Sequence, residues 1–480
     1  MLTPAAQRRS GRPEQHRGGR VFARLWAATA SANLGDGLVL ALIPLLAVQL
    51  TASSGLVAGA KLAHTLPWAV APLLVGLLVD SMDRRRLIVF FNLSRATALA
   101  ALLAVLLLGA PPLFVLWFLY LVALCLAVGE AVADIATTAI VPSVVPRHRL
   151  EWANSWIRGT ESVLNEFVGL PLGGLLIAIG PAWAVGGAGG LYLVAAGAML
   201  MLSGTFRPTD REPSPDTDAA GHGVRSGTGA GQRAGHSGGG GDGDDESNGA
   251  DETGGRKRHL LTAGLRILWR NRPLRTLTLM STVMAGCWSA WLAVLVVYTV
   301  QGPVGLSPTG YGLLLTALGA GAVIGAALAP RLARTVGVRW ILAADVVAGV
   351  VMLGTPAVSA DVVAIAAATF IGGLGSGLWN VVVISLRQRL IPHGRLGRIS
   401  GAIRFLGWGG MPVGAALAAG LAELGGPRPV FALSALLTAC TLIPLLRILN
   451  APALNAPPQE ESPESQGSPE SPESPAGEKR

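Results

Sequence analysis

Two apolar blocks of nearly equal length, residues 22–206 and 259–449, are the feature that most constrains the fold of this chain. Short polar patches interrupt each block about every 25 residues, a spacing that suits helices crossing a bilayer with about 20 apolar residues each. Residues 207–258, which separate the blocks, consist mainly of Gly, Ser, Asp and Pro. That composition buries too little apolar surface to offset chain entropy, so it predicts a disordered linker.

The charge content supports a membrane protein and excludes a nucleic-acid role. Only 14% of the 480 residues are charged, against roughly 25% in soluble domains. The net charge of +9 comes from arginines in the short loops between apolar runs. The three cysteines lie inside apolar runs without metal-ligand spacing, so we expect small core residues and no metal site. Residues 1–21 and the Ser-Pro-Glu-rich residues 450–480 are expected to be disordered tails.

The apolar runs predict an all-α membrane protein with twelve transmembrane helices, six in each half. A short helix on the membrane surface is expected just before the seventh span, over residues 260–275. The predicted spans are 24–50, 56–79, 87–109, 113–140, 156–179, 184–205, 275–300, 309–330, 340–357, 361–386, 399–422 and 428–446.

The basic residues predict the orientation. If the N-terminus is cytoplasmic, nearly all loop arginines fall on the cytoplasmic side, and Arg428 is the main exception. Because the Lys/Arg bias of short loops sets topology, both termini and the linker are expected in the cytoplasm. The cytoplasmic set is Arg84, Arg85, Arg86, Arg147, Arg149, Arg256, Lys257, Arg258, Arg331, Arg334, Arg339, Arg387, Arg389, Arg395 and Arg398.

An internal repeat relates the two halves. The sequence VPRHRL at 145–150 matches IPHGRL at 391–396, and an arginine follows eight residues after each leucine, at Arg158 and Arg404. The two segments join spans four to five and ten to eleven. Parallel six-span repeats of this kind are typical of one large class of transporters.

The sequence GLLVDSMDRRRL, between the second and third spans, resembles the signature Gly-x-x-x-Asp-Arg-x-Gly-Arg-Arg of the major facilitator superfamily. Ser81 replaces the usual basic residue, and Asp83 replaces the usual glycine. The resemblance implies a gate in which the Asp of the signature meets the start of the eleventh helix and the arginines anchor at lipid headgroups. The matching positions are Gly76, Asp80, Arg84 and Arg85.

Further segments resemble the exporter branch that includes macrolide-efflux proteins and the enterobactin exporter. They are NLGDG at 33–37, LEWANSW after the fourth span and AGLRILWRNRPL before the seventh. Pro171 and Gly173 resemble the proline-glycine motif of antiporters. The resemblance implies a major facilitator fold in a bacterial cytoplasmic membrane, exporting an amphipathic molecule in exchange for protons. We expect it to act as a monomer; its predicted gating residues also include Arg158 and Arg404.

Four acidic residues at membrane depth are the candidates for proton coupling: Asp36, Glu130, Asp134 and Glu161. Ionisable groups at this depth are costly and usually face a cavity or a partner. Glu130 and Asp134, four residues apart on one helix face, disfavour ionising together, so one of them is expected to hold a proton. Glu161 is expected at a depth similar to that of Glu130.

Structural alternatives stay open for each acid. Asp36 suits a hydrogen-bonding residue at a backbone kink between two glycines. Arg158 or Arg95 could neutralise Glu130 and Asp134 through a salt bridge. Arg158 could equally form a simple surface ion pair with Glu161 at the membrane edge.

The candidates for the wall of a substrate cavity are Asn33, Asn165, Trp288, Trp379 and Asn380. Tryptophans would offer a broad apolar surface with one donor each, although Trp288 and the neighbouring Trp291 could instead face lipid.

Lys61 and His64, three residues apart on the second span, form a further polar pair. They could stabilise an anion or pair with an acid from the first or eleventh span. His64 could also be a hydrogen-bonded core histidine.

Three functions fit these observations: an exporter, an importer of the same fold, and a membrane receptor or scaffold that does not transport. Glycine-rich segments such as 373–377 lie within apolar spans and lack the strand and the Lys-Ser/Thr pair of a phosphate loop. We therefore expect no enzyme activity, no cofactor and no use of ATP.

Overall fold

The computed structural model describes residues 12–146, 149–202, 206, 266, 268–390 and 396–449. The predicted linker and C-terminal tail lie outside these residues, as does most of the surface helix predicted over 260–275. The first half comprises α1 (Arg12–Leu50), α2 (Ser54–Ser81), α3 (Arg84–Leu107), α4 (Pro112–Val144), α5 (Leu150–Glu161), the π-helical segment π1 (Ser162–Gly169), α6 (Leu170–Ile179) and α7 (Pro181–Leu200). The second half comprises α8 (Arg272–Val296), the π-helical segment π2 (Val297–Gln301), α9 (Pro308–Thr335), α10 (Val338–Val358), α11 (Val362–Leu390), α12 (Leu396–Gly425), α13 (Pro427–Cys440) and α14 (Leu442–Leu449).

The helices account for the twelve predicted spans. Among the described residues, 11 helical stretches are long and apolar enough to cross a membrane. The helix α2, with 28 residues, occupies the remaining second position. Span five runs through α5, π1 and α6, and span twelve combines α13 with α14. The helix α1 begins at Arg12, earlier than residue 24, where the first span was predicted to begin. It therefore includes residues 12–21, which were predicted to belong to a disordered tail.

Polar side chains and prolines fix where helices begin. The Asn271 side chain accepts a hydrogen bond from the Leu274 amide at the start of α8. Ser307 does the same for the Gly310 amide at the start of α9, where a proline occupies the first turn. These contacts satisfy amides that have no partner within the helix. Leu150 and Leu396, the last residues of the sequence repeat, begin the equivalent helices α5 and α12.

The two halves share one large hydrophobic core cluster, which includes Leu42 of α1 and Trp291 of α8. They meet mainly along two helix pairs. In the first half α7 packs against α1 and α3, and α4 packs against α2 and α3. In the second half α11 packs against α9 and α10, and α8 packs against α12. Across the halves, α2 lies along α12 and α6 lies along α9. The helix α2 therefore contacts both α4 in its own half and α12 in the other.

Glycines flanking Asp36 allow close helix approach in the first half. A Cβ at Gly35 would lie 2.9 Å from the Tyr192 ring of α7. A Cβ at Gly37 would lie 2.8 Å from the Cα of Gly169 in π1. Small residues are the usual means of bringing backbones together in membrane helices.

A second glycine contact joins the halves. A Cβ at Gly174 would lie 2.6 Å from the Pro308 carbonyl oxygen and 3.3 Å from the Cα of Gly312. Gly173, one residue earlier, faces α1 instead, against Leu38. The glycines of the predicted antiporter motif thus serve two interfaces, one within the first half and one between the halves.

Hydrogen bonds also join the halves at one end of the molecule. The Glu423 carboxylate, near the end of α12, accepts hydrogen bonds from the Ser53 hydroxyl at 2.6 Å and from the Gly55 amide at 3.0 Å. Ser53 and Gly55 lie at the start of α2, where the carboxylate meets unpaired helix amides.

A second contact reinforces this end. The Gln301 side-chain amide, in π2, donates to the carbonyl oxygens of Val48 at 2.5 Å and Thr51 at 3.1 Å. We call the region formed by residues 48–56, 301–312 and 419–425 the closed end, because polar contacts hold the two halves together there.

The glycine contact beside Asp36 can be tested by substitution. Gly37→Ala should destabilise the protein by about 1–3 kcal/mol, because the added methyl group has to displace π1. Gly190→Ala is the matched control, since a Cβ at Gly190 in α7 meets no atom within 4 Å. The measurement is thermal unfolding of the purified variants in detergent. Equal stability of Gly37→Ala and Gly190→Ala would contradict the observed packing.

Candidate functional site

Asp36 forms a buried ion pair with Arg95. The two side chains, on α1 and α3, are 7% and 1% exposed. The Tyr192 hydroxyl, on α7, donates to Asp36 Oδ1 at 2.8 Å and accepts from Arg95 Nη2 at 3.0 Å. The guanidinium also lies 3.9 Å from the centre of the Tyr192 ring. One carboxylate, one guanidinium and one phenol thus tie three helices together.

Neighbouring residues complete the surroundings of this ion pair. The Asn92 side chain accepts from Arg95 Nη1 at 3.3 Å. Gly129 on α4 leaves space for the arginine, since a Cβ there would lie 2.7 Å from its Cγ. The sequence suggested Arg95 as a partner for Glu130 and Asp134, whereas its ion pair in the structure is with Asp36. This geometry favours the structural alternative for Asp36.

A central cavity of about 450 Å³ lies between the halves. Trp408 and Met411 of α12 contribute to its wall, opposite residues of α2, α4 and α5. Three of the four acids proposed for proton coupling therefore face one space, and Asp36 lies outside it. The ionisable and hydroxyl side chains of the wall include Lys61, His64, Thr65, Glu130, Asp134 and Glu161.

His64 faces Glu130 across this cavity. His64 Nε2 lies 3.7 Å from Glu130 Oε2, and the two side chains are 11% and 18% exposed. The sequence suggested an acid from the first or eleventh span as the partner of His64; the structure supplies one from α4. The pair can carry opposite charges only when the imidazole is protonated.

Lys61 connects this cavity with the second half. Its ammonium group lies 5.8 Å from the centre of the Trp288 ring on α8. A cation at this distance from an aromatic face is attracted to it. Lys61 lies one turn before Thr65, whose hydroxyl donates to the Lys61 carbonyl at 3.0 Å.

A second cavity of about 290 Å³, which we call the C-half cavity, lies among the helices of the second half. Met411 lines both cavities, so the two adjoin at α12. Trp291 is fully buried, and Trp288 packs against the core and faces this cavity, so the lipid-facing alternative was wrong. The wall of the C-half cavity includes the predicted residues Trp288, Trp379 and Asn380 together with Ser281, Ser376 and Asp345.

The two predicted asparagines of the first half lie elsewhere. Asn33 is buried, and its side-chain amide donates to the Thr29 carbonyl one turn earlier at 2.9 Å. Asn165 lies in π1, where its backbone carbonyl faces Gly37. The described wall of the central cavity includes neither residue.

The signature arginines hold the first half together. Arg85 donates to the carbonyl oxygens of Met199 at 3.2 Å and Leu200 at 2.6 Å, at the end of α7. Arg84 donates to the Ala139 carbonyl of α4 at 3.3 Å. Both arginines donate hydrogen bonds to carbonyl groups near helix C-terminal ends, where positive charge is favourable.

Asp83, which replaces the glycine of the family signature, caps α3. Its carboxylate accepts from the amides of Arg85 at 3.0 Å and Arg86 at 3.2 Å, and from the Phe206 amide at 3.2 Å. The substitution thus supplies a helix cap and anchors the end of the first half. The side chains of Gly76, Asp80, Arg158 and Arg404 lie outside the described part, so their gating roles stay predictions.

The sequence reasoning missed several polar residues. Arg95 was weighed only as a partner of the α4 acids, and Tyr192 was not considered. Asp36 was singled out because it is an acidic residue at membrane depth. The same criterion would have identified Asp345, the one carboxylate in a 21-residue apolar helix. Glu423 carried no motif, and its role follows from the meeting of two helix ends.

No group of three or more His, Cys, Asp or Glu side chains that could hold a metal ion occurs within the described ranges.

The fold and the adjoining cavities are those of a membrane transporter with two helical halves. The sequence profile of the Major Facilitator Superfamily matches residues 25–303 and 292–477. The chain therefore belongs to the major facilitator superfamily and is a multi-pass membrane transporter.

Relatives and solved structures agree with this family. The chain is 27% identical over 448 residues to the multidrug efflux pump Tap of Mycobacterium tuberculosis (strain ATCC 25618 / H37Rv), covering 90% of this chain and 94% of that protein. It is 26% identical to Tap of Mycolicibacterium fortuitum over 417 residues, covering 84% and 90%.

Two crystal structures share the fold. The nucleoside transporter NupG matches with a TM-score of 0.61 and 11% identity, over 90% of this chain and 99% of that one. A bacterial homologue of the iron transporter ferroportin in its inward-facing state matches with a TM-score of 0.64, at 15% identity over 89% and 98%.

The Asp36–Arg95 ion pair can be tested by a double-mutant cycle. Asp36→Asn or Arg95→Gln alone should destabilise the protein by about 3–5 kcal/mol, because each leaves a buried charge without its partner. The double variant should lose less than the sum. Thermal unfolding in detergent measures both effects, and strictly additive losses would contradict a direct ion pair.

Proposed function

We propose that this protein is a proton-coupled exporter of amphipathic small molecules in a bacterial cytoplasmic membrane, working by alternating access. The cluster of Lys61, His64, Glu130, Asp134 and Glu161 around one central cavity carries the proposal. Charged groups at membrane depth are costly, so those that occur there usually mark a binding site or a proton pathway. The relatives named as multidrug efflux pumps support export rather than import.

Glu130 is the proposed proton carrier. It shares the cavity with the basic side chains of Lys61 and His64 and lies 3.7 Å from the imidazole. Protonation of the carboxylate would remove its charge and weaken its attraction to the Lys61 ammonium group, and to His64 whenever the imidazole is protonated. Loading and release of one proton at Glu130 would therefore change how strongly α4 holds α2.

Asp134 and Glu161 are proposed to influence the protonation of Glu130. Asp134 lies one helical turn from Glu130 and also lines the small space beside Asp36 and Arg95. Glu161 faces the same cavity from the end of α5. The negative charges of Asp134 and Glu161 would repel that of Glu130, so both residues would influence how readily Glu130 takes up a proton.

The helix α2 is proposed to transmit the protonation change to the closed end. His64 lies nine residues after Gly55, a separation of roughly 14 Å at about 1.5 Å per residue. The Gly55 amide donates to Glu423 of α12, and farther along α2 the rings of Trp68 and Trp408 meet edge to face at 4.6 Å. A change in the hold of α4 on α2 would thus alter both contacts with the other half.

The proposed orientation places the closed end outside the cytoplasm. Arg84, Arg85 and Arg86 lie at the start of α3 and Arg331 and Arg334 near the end of α9, away from the closed end. Positive charge of this kind favours the cytoplasmic side. The cavity would then load substrate from the cytoplasm, as export requires.

Replacing Glu130 tests the coupling. In inside-out membrane vesicles energised with a pH gradient, Glu130→Gln should lower the gradient-driven uptake of ethidium by about tenfold or more, because glutamine cannot take up a proton. The fluorescence of accumulated ethidium gives the rate, and dissipation of the gradient with nigericin gives the background.

Asp361→Asn is the matched control, because Asp361 is an exposed cap at the start of α11 that asparagine can replace. It should transport at the wild-type rate. Gradient-driven uptake that persists in a well-inserted Glu130→Gln variant would overturn the assigned carrier. Wild-type movement of ethidium only in the direction of the proton gradient would indicate an importer, and no gradient-dependent movement would favour a receptor or scaffold.

A further inference from the structure

Asp345, on α10, is a buried carboxylate that the proton-coupling scheme does not use. The residue is 4% exposed and lines the C-half cavity. Its Oδ2 has no hydrogen-bond partner among the described residues. It lies seven residues after Val338, the first residue of the helix, roughly 10 Å into the span.

A counter-charge would stabilise the ionised form of this carboxylate. Burying an ionised carboxylate without a partner is far more costly than burying a paired one. Of the described residues that line the C-half cavity, Asp345 is the only one with an ionisable acidic or basic side chain. Lys61 is not among the described residues of this wall, and its ammonium group lies 5.8 Å from the centre of the Trp288 ring.

The space around the carboxylate is kept clear of side chains on one side. Gly375 of α11 faces it, and a Cβ there would lie 2.9 Å from Asp345 Oδ1. A larger residue would crowd the acid. Glycine therefore allows α11 to approach while the carboxylate keeps its place in the cavity wall.

The remaining wall is suited to an apolar cation. Trp288 and Trp379 line it together with Met352 and Met411. Aromatic faces attract cations with dispersed charge, and methionine side chains adapt to ligands of different shape. The neutral polar groups of the wall belong to Ser281, Ser376, Asn380 and Thr438. The one carboxylate lies beside two aromatic rings, a combination suited to an organic cation with apolar groups.

We propose that Asp345 recognises the positive charge of a lipophilic organic cation, with the tryptophan and methionine side chains holding its apolar part. This inference rests on the proposed function and names its substrate class. The volume of about 290 Å³ accommodates the charged end of such a molecule. The rest of the molecule extends past Met411 into the central cavity.

Equilibrium binding of tetraphenylphosphonium to the purified full-length protein in detergent tests the proposal. Asp345→Asn should weaken binding by about tenfold or more, because it removes the charge at nearly constant shape. Asp345→Glu, which keeps the charge, should bind within about threefold of wild type. Asp361→Asn, which changes an exposed acid at the start of the next helix, should bind as wild type does.

The outcomes separate recognition from folding and from transport. Unfolding temperatures of all variants are measured first, and binding is compared among variants that unfold as wild type does. Wild-type affinity in Asp345→Asn, equal loss in Asp345→Glu, or no binding to wild type would overturn the proposal. Because binding needs no gradient, the two proposals fail separately: wild-type protein that binds tetraphenylphosphonium through Asp345 but shows no proton-driven flux would refute the transport proposal alone.

Discussion

Charge inside an apolar helix bundle has to meet an opposite charge, a hydrogen-bond partner or a cavity, and this constraint organises the molecule. Asp36 illustrates the first solution, since Arg95 and Tyr192 satisfy its carboxylate and join α1, α3 and α7. Glu130 illustrates the third solution, because it lines the central cavity and faces His64 there. The ion pair of Asp36 joins helices of the fold, and Glu130 is the carboxylate proposed to change its protonation state.

The helix α2 connects the central cavity with the interface between the two halves. It packs against α4 within its own half and against α12 in the other half. At its start, Gly55 and Ser53 bind the Glu423 carboxylate, and in its middle His64 faces Glu130. In the proposed mechanism, these contacts let α2 relay a charge change at Glu130 to the interface between the two halves.

The sequence was sufficient for the number of spans and for the two halves. Apolar length and period determine where helices form, so these features depend on local residues. The sequence also grouped Glu130, Asp134 and Glu161, which line the central cavity, but it placed Asp36 with them, and Asp36 lies outside that cavity. The partners of the acidic side chains were less predictable, because Asp36 meets Arg95 and Glu423 meets Gly55 across large sequence separations. The π-helical segments were not anticipated either, since the apolar pattern does not distinguish an added residue within a turn.

Asp345 of helix α10 could be recognised in the sequence only by its charge. Asp345 stands within a continuous apolar run and belongs to no motif, so comparison with the family signature does not reveal it. Only the fold brings Trp288, Trp379 and Met411 around it from three other helices.

The most direct test of proton-driven alternating access measures both ends of the molecule at once. Spin labels at Ala52 and Leu424 report on the closed end, and labels at Met82 and Thr335 report on the opposite end; all four side chains are exposed. In lipid nanodiscs, acidification from about pH 8 to about pH 5 should change the two distances in opposite directions, because protonation of Glu130 would remove the charge that the mechanism uses. Glu130→Gln should abolish the pH response. Distances that stay constant, or that change in the same direction at both ends, would contradict the proposed mechanism.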